Sequence, residues 1–457
     1  MLCFINNRIL LSKLVFIITG GFSFILSGCQ SFEPKPLTPN GYVEEWEAYR
    51  VDSEVVRDFA ARLSDADPKT IRFDVSDGLE LEEGEVVSLV FNPKLRVARL
   101  KAGVAEATSA NAGIWEDPKL NIDVLRLTES IPNPWILGSA LSFTVPISGR
   151  LEVERDRAEA EHEEALLAVV ESEWDVGFDL RQAWVHWSSQ LLELEATKKS
   201  VRVLEAIIKS QTALLESGEV FETEAALFTI EEVSRRAEIA RLKGEVAQGE
   251  QKIRILLGLS PSAVVSLIPR MALTGNKNPN SFIENNPTLA RLEAAYKVAE
   301  LTLQQEIRQQ YPDLALGPQF ESDEGESGWG AVGGIRLPLL NRNREGIAKA
   351  RAEREVARAA YEGEIERLTH QLATLRSKQK AIFEQRRLIH KQLVPMVDHQ
   401  LSRAQRLIEL GEGSATVLMD SVLRAHEAKL RLIRLQVEES QINNEIRYIQ
   451  GPHRGSN

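Results

Sequence analysis

The chain has 457 residues, is 43% hydrophobic by composition and carries a formal net charge of -12. That acidity excludes a nucleic-acid binder, which needs a clustered basic surface, and a polybasic membrane anchor. The only cysteines, Cys3 and Cys29, lie near the N-terminus, which excludes a disulfide framework or a cysteine-based metal site in the body of the chain.

The first residues read as a targeting segment. Arg8 and Lys13 supply a positive region, and Leu14 to Leu26 form an apolar stretch too short and too Gly-interrupted to span a membrane. It runs into Leu26-Ser27-Gly28-Cys29, which resembles the lipobox of bacterial lipoproteins. That resemblance implies cleavage of residues 1–28 as a signal peptide and a covalent lipid on Cys29. Because Gln30 follows and not Asp, it also implies sorting to the outer membrane. No other run of about 18 or more apolar residues occurs, which excludes a second, helical membrane anchor.

Residues 29–77 form a tether and periplasmic segment. Pro34, Pro36 and Pro39 favour an extended start, and a short amphipathic segment follows around Tyr42 to Leu63. From Gly78 the chain repeats itself. Asn92-Pro93-Lys94-Leu95 recurs as Asn286-Pro287-Thr288-Leu289, and Pro118-Lys119-Leu120 recurs as Pro312-Asp313-Leu314, both offset by about 194 residues. Val145-Pro146-Ile147 matches Leu337-Pro338-Leu339, and Leu215-Glu216-Ser217-Gly218-Glu219 matches Ile408-Glu409-Leu410-Gly411-Glu412. The repeats are placed at residues 78–280 and 281–457.

Each repeat has the same element order. A helical segment, Gly84 to Trp115 or Phe282 to Gln310, ends before a proline. A change to period two follows. Leu120, Ile122 and Val124 alternate with Asn121 and Asp123, while Leu141, Phe143, Val145 and Ile147 alternate with Ser142 and Thr144. In the second repeat Leu314, Leu316 and Phe320 share one face, and Trp329, Ala331, Gly333, Ile335 and Leu337 share another. Each pair of runs reads as a β-hairpin. A proline-free amphipathic run then extends from Leu151 to Glu216, turns at Gly218 and returns through Thr223 to Leu257. Its counterpart runs from Gly346 to Leu410, turns at Gly411-Glu412-Gly413 and returns from Ser414 to Ile449, interrupted only by Pro395. The period and length predict long antiparallel coiled-coil hairpins.

Two hairpins per chain are too few for a closed barrel, and an isolated hairpin cannot satisfy its edges. Closure therefore requires several chains, with apolar faces against lipid and Asn121, Asp123, Ser142, Thr144 and Arg336 toward a watery lumen. Trp115, Trp135, Tyr311 and Trp329 fall near strand ends, as membrane-interface aromatics do.

This duplicated order of Asn-Pro helix, hairpin, long helix, Gly-Glu turn and returning helix resembles the TolC-type outer-membrane efflux proteins, from about Gly78 to Gln450. The resemblance implies a mainly α protein with four transmembrane strands per chain, a homotrimeric twelve-stranded barrel in outer-membrane lipid, and an α-helical periplasmic tunnel. Its implied function is a passive, non-enzymatic exit duct of a tripartite efflux or type I secretion system. A periplasmic adaptor and an inner-membrane pump of the RND or ABC class would dock to it. Adaptor contact then falls on the turns Gly218-Glu219 and Gly411-Glu412-Gly413, and an acidic pore constriction on Glu224 and Asp420. Val417 and Gly413 stand where the family's best-known member has an acid and a base. Two alternatives, a periplasmic adaptor lipoprotein and a structural coiled-coil envelope protein, account less well for two equally spaced copies with strands between helices.

Other signals carry less. His162 beside Glu163 and Glu164, and His186 beside Trp187, lack a second histidine at ligand spacing, so they read as ordinary helix residues. Gly330, Gly333 and Gly334 have no P-loop lysine and sit in a strand pattern. No nucleophile-base arrangement is supported. No metal and no cofactor beyond the lipid on Cys29 is expected.

Overall fold

In the computed structural model the described residues are 31–66, 73–128, 134–218, 220–271, 282–323, 326–335 and 337–452. Cys29, Glu219 and Arg336 lie outside them, and so do the lipidation reading and one tip residue. Residues up to Ala48 form one unit, in which α1 (Pro39–Glu47) begins with proline in its first turn. The second unit begins at Tyr49, and all that follows belongs to it.

Helix α2 (Glu54–Ala66) leads to α3 (Leu81–Phe91), which opens on a capping box: Glu83 accepts from the Glu80 backbone N–H at 2.9 Å. One helix was expected from Gly84 to Trp115. The chain instead breaks at Asn92, whose ψ of 126° is extended, and restarts as α4 (Pro93–Ala110). The cause is local, since a residue ahead of proline is pushed out of the helical region. Asn286 divides the second copy in the same way, into α7 (Phe282–Asn285) and α8 (Pro287–Arg308).

The strands are β1 (Lys119–Arg126) and β2 (Trp135–Val145), then β3 (Leu314–Asp323) and β4 (Glu326–Ile335). All pairings are antiparallel and the order is β1-β2-β3-β4, so the two hairpins lie side by side in one sheet. The β2–β3 register skips Leu141 and Ser142, opposite Pro318 and Gly317. Pro318 has no N–H to give, and a Cβ on Gly317 would sit 1.6 Å from the Leu141 carbonyl oxygen.

Helix α5 (Arg150–Glu216) runs unbroken for 67 residues, about 100 Å at 1.5 Å per residue. It turns into α6 (Glu222–Leu257). The second hairpin comprises α9 (Arg344–Leu388), a π-turn at Ile389–Leu393, α10 (Val394–Glu409) and α11 (Ala415–Gln450). The π-turn absorbs Pro395, whose ring would clash with the carbonyl four residues back in a regular helix. Among the described residues no helix is long and apolar enough to cross a membrane.

Each repeat closes on one buried asparagine. Asn92 Oδ1 accepts from Lys94 N at 2.9 Å while its Nδ2 donates to the Leu256 carbonyl at the end of α6, at 2.7 Å. Asn286 accepts from Leu289 N at 3.1 Å and donates to the Ile449 carbonyl at the end of α11, at 2.9 Å. Beside each joint is a glycine in the left-handed region, Gly258 at φ 76° and Gly451 at φ 74°. A Cβ there would lie 2.2 Å from the Phe91 oxygen or 2.1 Å from the Asn285 oxygen. Asn286→Ala removes a cap and leaves a buried carbonyl unpaired. It is expected to cost about 2–4 kcal/mol, measured by denaturant unfolding, and Asn92→Ala should cost a similar amount; a loss under about 0.5 kcal/mol in both would refute the joint.

Candidate functional site

The sheet has two chemically distinct faces. Cross-strand registers place Leu120, Ile122 and Val124 with Leu137, Leu141 and Phe143, and continue through Leu314, Leu316 and Phe320 to Trp329 and Ile335. Among the described residues nothing covers this apolar face: Ile122 is 64% exposed and Trp329 81%. The other face carries Asn121, Asp123, Ser142 and Thr144, as the alternation predicted, and adds Gln319, Glu321, Asp323 and Glu326. Those last residues could have been found by counting outward from the end of the β3–β4 hairpin, where Asp323 pairs with Glu326. Below the polar face a cavity of about 700 Å³ is lined by Lys119, Ser142, Thr144, Tyr311 and Gly334. At its rim Arg150 joins the repeats, donating to Glu116 at 2.7 Å and to Asp313 at 3.4 Å.

Aromatic residues mark both ends of the strands. Trp135 opens β2 with the Arg126 guanidinium 5.5 Å from its ring, and Trp329 packs on Phe320 at 5.2 Å. Trp115 and Tyr311 precede β1 and β3 and are also exposed. Among the described residues the outer strands β1 and β4 each leave one backbone edge without a partner. Val97, Leu100 and Val104 add an exposed apolar stripe along α4.

The tip turns depend on left-handed glycines. Gly218 has φ 80° and donates to the Leu215 carbonyl at 3.1 Å. Gly411 has φ 74° and donates to Ile408 O, while Glu412 N donates to Leu407 O, each at 3.0 Å. Gly413 is needed for close approach, since a Cβ would fall 2.6 Å from Ile408 N. Just beyond the turns one buried cluster includes Leu204 and Ile207 of α5, Phe228 of α6, Ile408 of α10 and Leu418 of α11, so the two hairpin ends pack together.

Glu224 and Asp420 flank that cluster in sequence. Glu224 is half-buried in the first turn of α6, where a carboxylate also complements the helix N-terminus. Asp420 is exposed and accepts from Arg424 Nε at 2.7 Å. This partner, one helical turn along, was legible at i,i+4 spacing yet was not read from the sequence. The hydrogen bond to Asp420 in turn raises the Arg424 guanidinium.

Polar groups are buried along the seam between the two hairpins. Arg181 of α5 donates to Asn444 Oδ1 of α11 at 2.7 Å and to Glu85 of α3 at 2.5 Å, and burial pushes its guanidinium down. Tyr448 donates to Asp175 at 2.6 Å, and burial with that carboxylate pushes its phenol up. Nearer the tips, both amide atoms of Gln211 and the His426 Nε2 are buried without a partner among the described residues. Burial, reinforced by Arg235, Lys429 and Arg434 against the opposing pull of Glu238, lowers His426 to about 4. The unfolded state therefore binds a proton near its ordinary 6.5 that the folded state refuses until about 4, so stability falls as pH drops through that window. His426→Leu should abolish a loss of about 2–3 kcal/mol between pH 6.5 and 4, read as the difference between wild-type and variant melting curves. Parallel curves would refute the assignment.

No family model matches the chain, and no curated protein matches it. Solved structures do. CusC, whose crystal structures concern folding and transmembrane channel formation, is similar with a TM-score of 0.71 at 17% identity, over 83% of this chain and 94% of that one. The outer-membrane channel OprN gives 0.72 at 17% identity over 81% and 89%. The outer membrane protein VceC from Vibrio cholerae gives 0.70 at 16% identity over 81% and 96%. The shared property is the fold, a four-stranded sheet set between long helical hairpins.

Proposed function

We propose that the chain is the outer-membrane exit duct of a tripartite efflux or secretion system, a passive homotrimeric channel and not an enzyme. The observation that carries this reading is the sheet, with an uncovered apolar face, a polar opposite face and two unpaired edges. In lipid every backbone group needs a protein partner, so β4 of one copy pairs with β1 of the next until the sheet closes. Three copies give a twelve-stranded barrel, with the apolar faces against hydrocarbon and the polar faces around water. The Val97, Leu100 and Val104 stripe supports self-association outside the barrel. Likeness in fold to outer-membrane channels supports the same reading.

The long hairpins form the periplasmic tunnel, and a lipid on Cys29 anchors the chain to the outer membrane. The turns at Gly218-Glu219 and Gly411-Glu412-Gly413 receive a periplasmic adaptor that links the duct to an inner-membrane pump. Glu224 and Asp420, repeated around a threefold axis, form the acidic constriction, with Arg424 moderating the charge of Asp420. Docking opens this end. Orphaned polar groups such as Gln211 favour that movement, because each costs about 1–3 kcal/mol in the closed seam.

Single-channel conductance of the purified full chain in a planar bilayer tests the reading. A small, cation-preferring conductance is expected, rising in Asp420→Ala and Glu224→Ala; folded protein that never conducts, in any variant, would overturn it. On the sheet, Ile122→Arg should cost about 2–4 kcal/mol in lipid and deplete the chain from the outer-membrane fraction, whereas Asn121→Arg should be retained there. Equal recovery of the two variants contradicts the assignment of faces.

A further inference from the structure

The repeats differ at the passage from sheet to long helix. Arg150, the first residue of α5, follows Pro146 by four positions, whereas Arg344, the first of α9, follows Pro338 by six. The longer second copy, Leu339-Leu340-Asn341-Arg342-Asn343, displays Leu339 at 67% exposure and Leu340 at 94%. Among the described residues these leucines are left largely uncovered. Arg342 at φ 48° and Asn343 at φ 50° are the only non-glycine residues in the left-handed region among those described. Such a conformation is strained and persists where the surroundings enforce it. Here Asn343 is held by its Nδ2, which donates to the Glu306 carbonyl at 2.9 Å and to its carboxylate at 2.6 Å. Among the described residues, neither Arg342 nor Arg344 has an ion-pair partner.

Position in the sheet selects the occupant. Ile335 ends β4 on the apolar face, and Leu337 and Leu339 continue its alternation beyond the strand, with Leu337 61% exposed. Arg342 and Arg344 follow Leu340 closely in sequence, and basic side chains just beyond an apolar run can reach headgroup phosphates. The geometry points to a lipid-binding loop: Leu339 and Leu340 enter the periplasm-facing leaflet, and the strained turn holds Arg342 and Arg344 against anionic phospholipid headgroups. This inference rests on the exit-duct reading, because it takes the apolar face of the sheet as the lipid face. The loop is then an anchor independent of Cys29. It fixes the depth of the barrel where β4 passes into the tunnel; the shorter link of the first copy offers one exposed apolar residue, Ile147, and no left-handed pair like Arg342 and Asn343.

The test uses the full chain, labelled with bimane at Leu340→Cys or, as a reference, at Ile122→Cys, with the parent chain correcting for label on native cysteines. The variants are reconstituted in vesicles of phosphatidylethanolamine and phosphatidylglycerol. Quenching by lipid carrying a nitroxide near the headgroup is compared with quenching by aqueous iodide. Lipid quenching at both sites, with loss of iodide access at Leu340, is the expected result. Lipid quenching at Ile122 with iodide quenching at Leu340 overturns the loop and leaves the exit duct standing. Protection of Leu340 from both quenchers also overturns it, since the loop is then covered by a second copy. No lipid quenching at Ile122 removes the barrel reading and this inference with it. Replacing phosphatidylglycerol by phosphatidylcholine should weaken the Leu340 signal, and R342Q with R344Q should remove that dependence; a dependence that persists in the double variant refutes the arginine contacts.

Discussion

Two buried side-chain amides, Asn92 and Asn286, set the geometry on which both hairpins depend. Each caps the helix that follows it and binds the last turn of the helix that returns from the tip. The joint is therefore the fulcrum of a lever. Helix α6 has 36 residues, or about 54 Å of rise, so a tilt of about 5° at Gly258 moves its far end by about 5 Å. Placing the tip residues within bonding range of one another demands a fulcrum with little freedom. Glycine at that point is a steric requirement, since any side chain would strike the backbone of Phe91 or Asn285.

Much of this arrangement is legible in the sequence because its signals are local and occur twice. Alternation at Leu120, Ile122 and Val124 marks a strand face, and Gly218 and Gly411 mark reversals at matching places. What the sequence hides is pairing across distance. Asn92-Pro93 announces a cap, but nothing local shows that the same amide reaches Leu256. The break at Asn92 follows from the proline rule, yet the apolar pattern on either side conceals it. Pro395 announces an interruption, while its accommodation by a π-turn, without a bend into a loop, is decided by the packing of Ile389 and Val397. The Arg424 partner of Asp420 lies one turn away and escapes a search confined to acids.

The two halves are alike where they must close and different where they meet other elements. Arg150 reaches Glu116 and Asp313, one before each hairpin, and so fastens the second repeat to the first at the foot of the sheet. Its counterpart region in the second repeat contains Asn343, which binds Glu306 within its own repeat. Duplication supplied two similar hairpins, and divergence at their feet decided that one carries the joint between repeats while the other carries an extended loop. A sheet made from two copies also inherits its order, with β2 beside β3, because the outgoing strand of one hairpin is the nearest antiparallel partner for the incoming strand of the next.

The remaining constraint is that the described protomer is physically incomplete. A water-soluble sheet covers its apolar face with helices or a second sheet, and among the described residues neither lies over Ile122, Leu316 or Trp329. Covering that face with another protein would still leave the edges of β1 and β4 open, and pairing the edges in water would leave the face exposed. Lipid against one face and a neighbouring strand at each edge meet both demands together. On the exit-duct reading proposed above, the face that carries Asp123, Glu321, Asp323 and Glu326 would meet water, which is the opposite of what a buried core would tolerate. The charge pattern of the sheet and the edges of β1 and β4 thus support the proposed closed structure by independent routes.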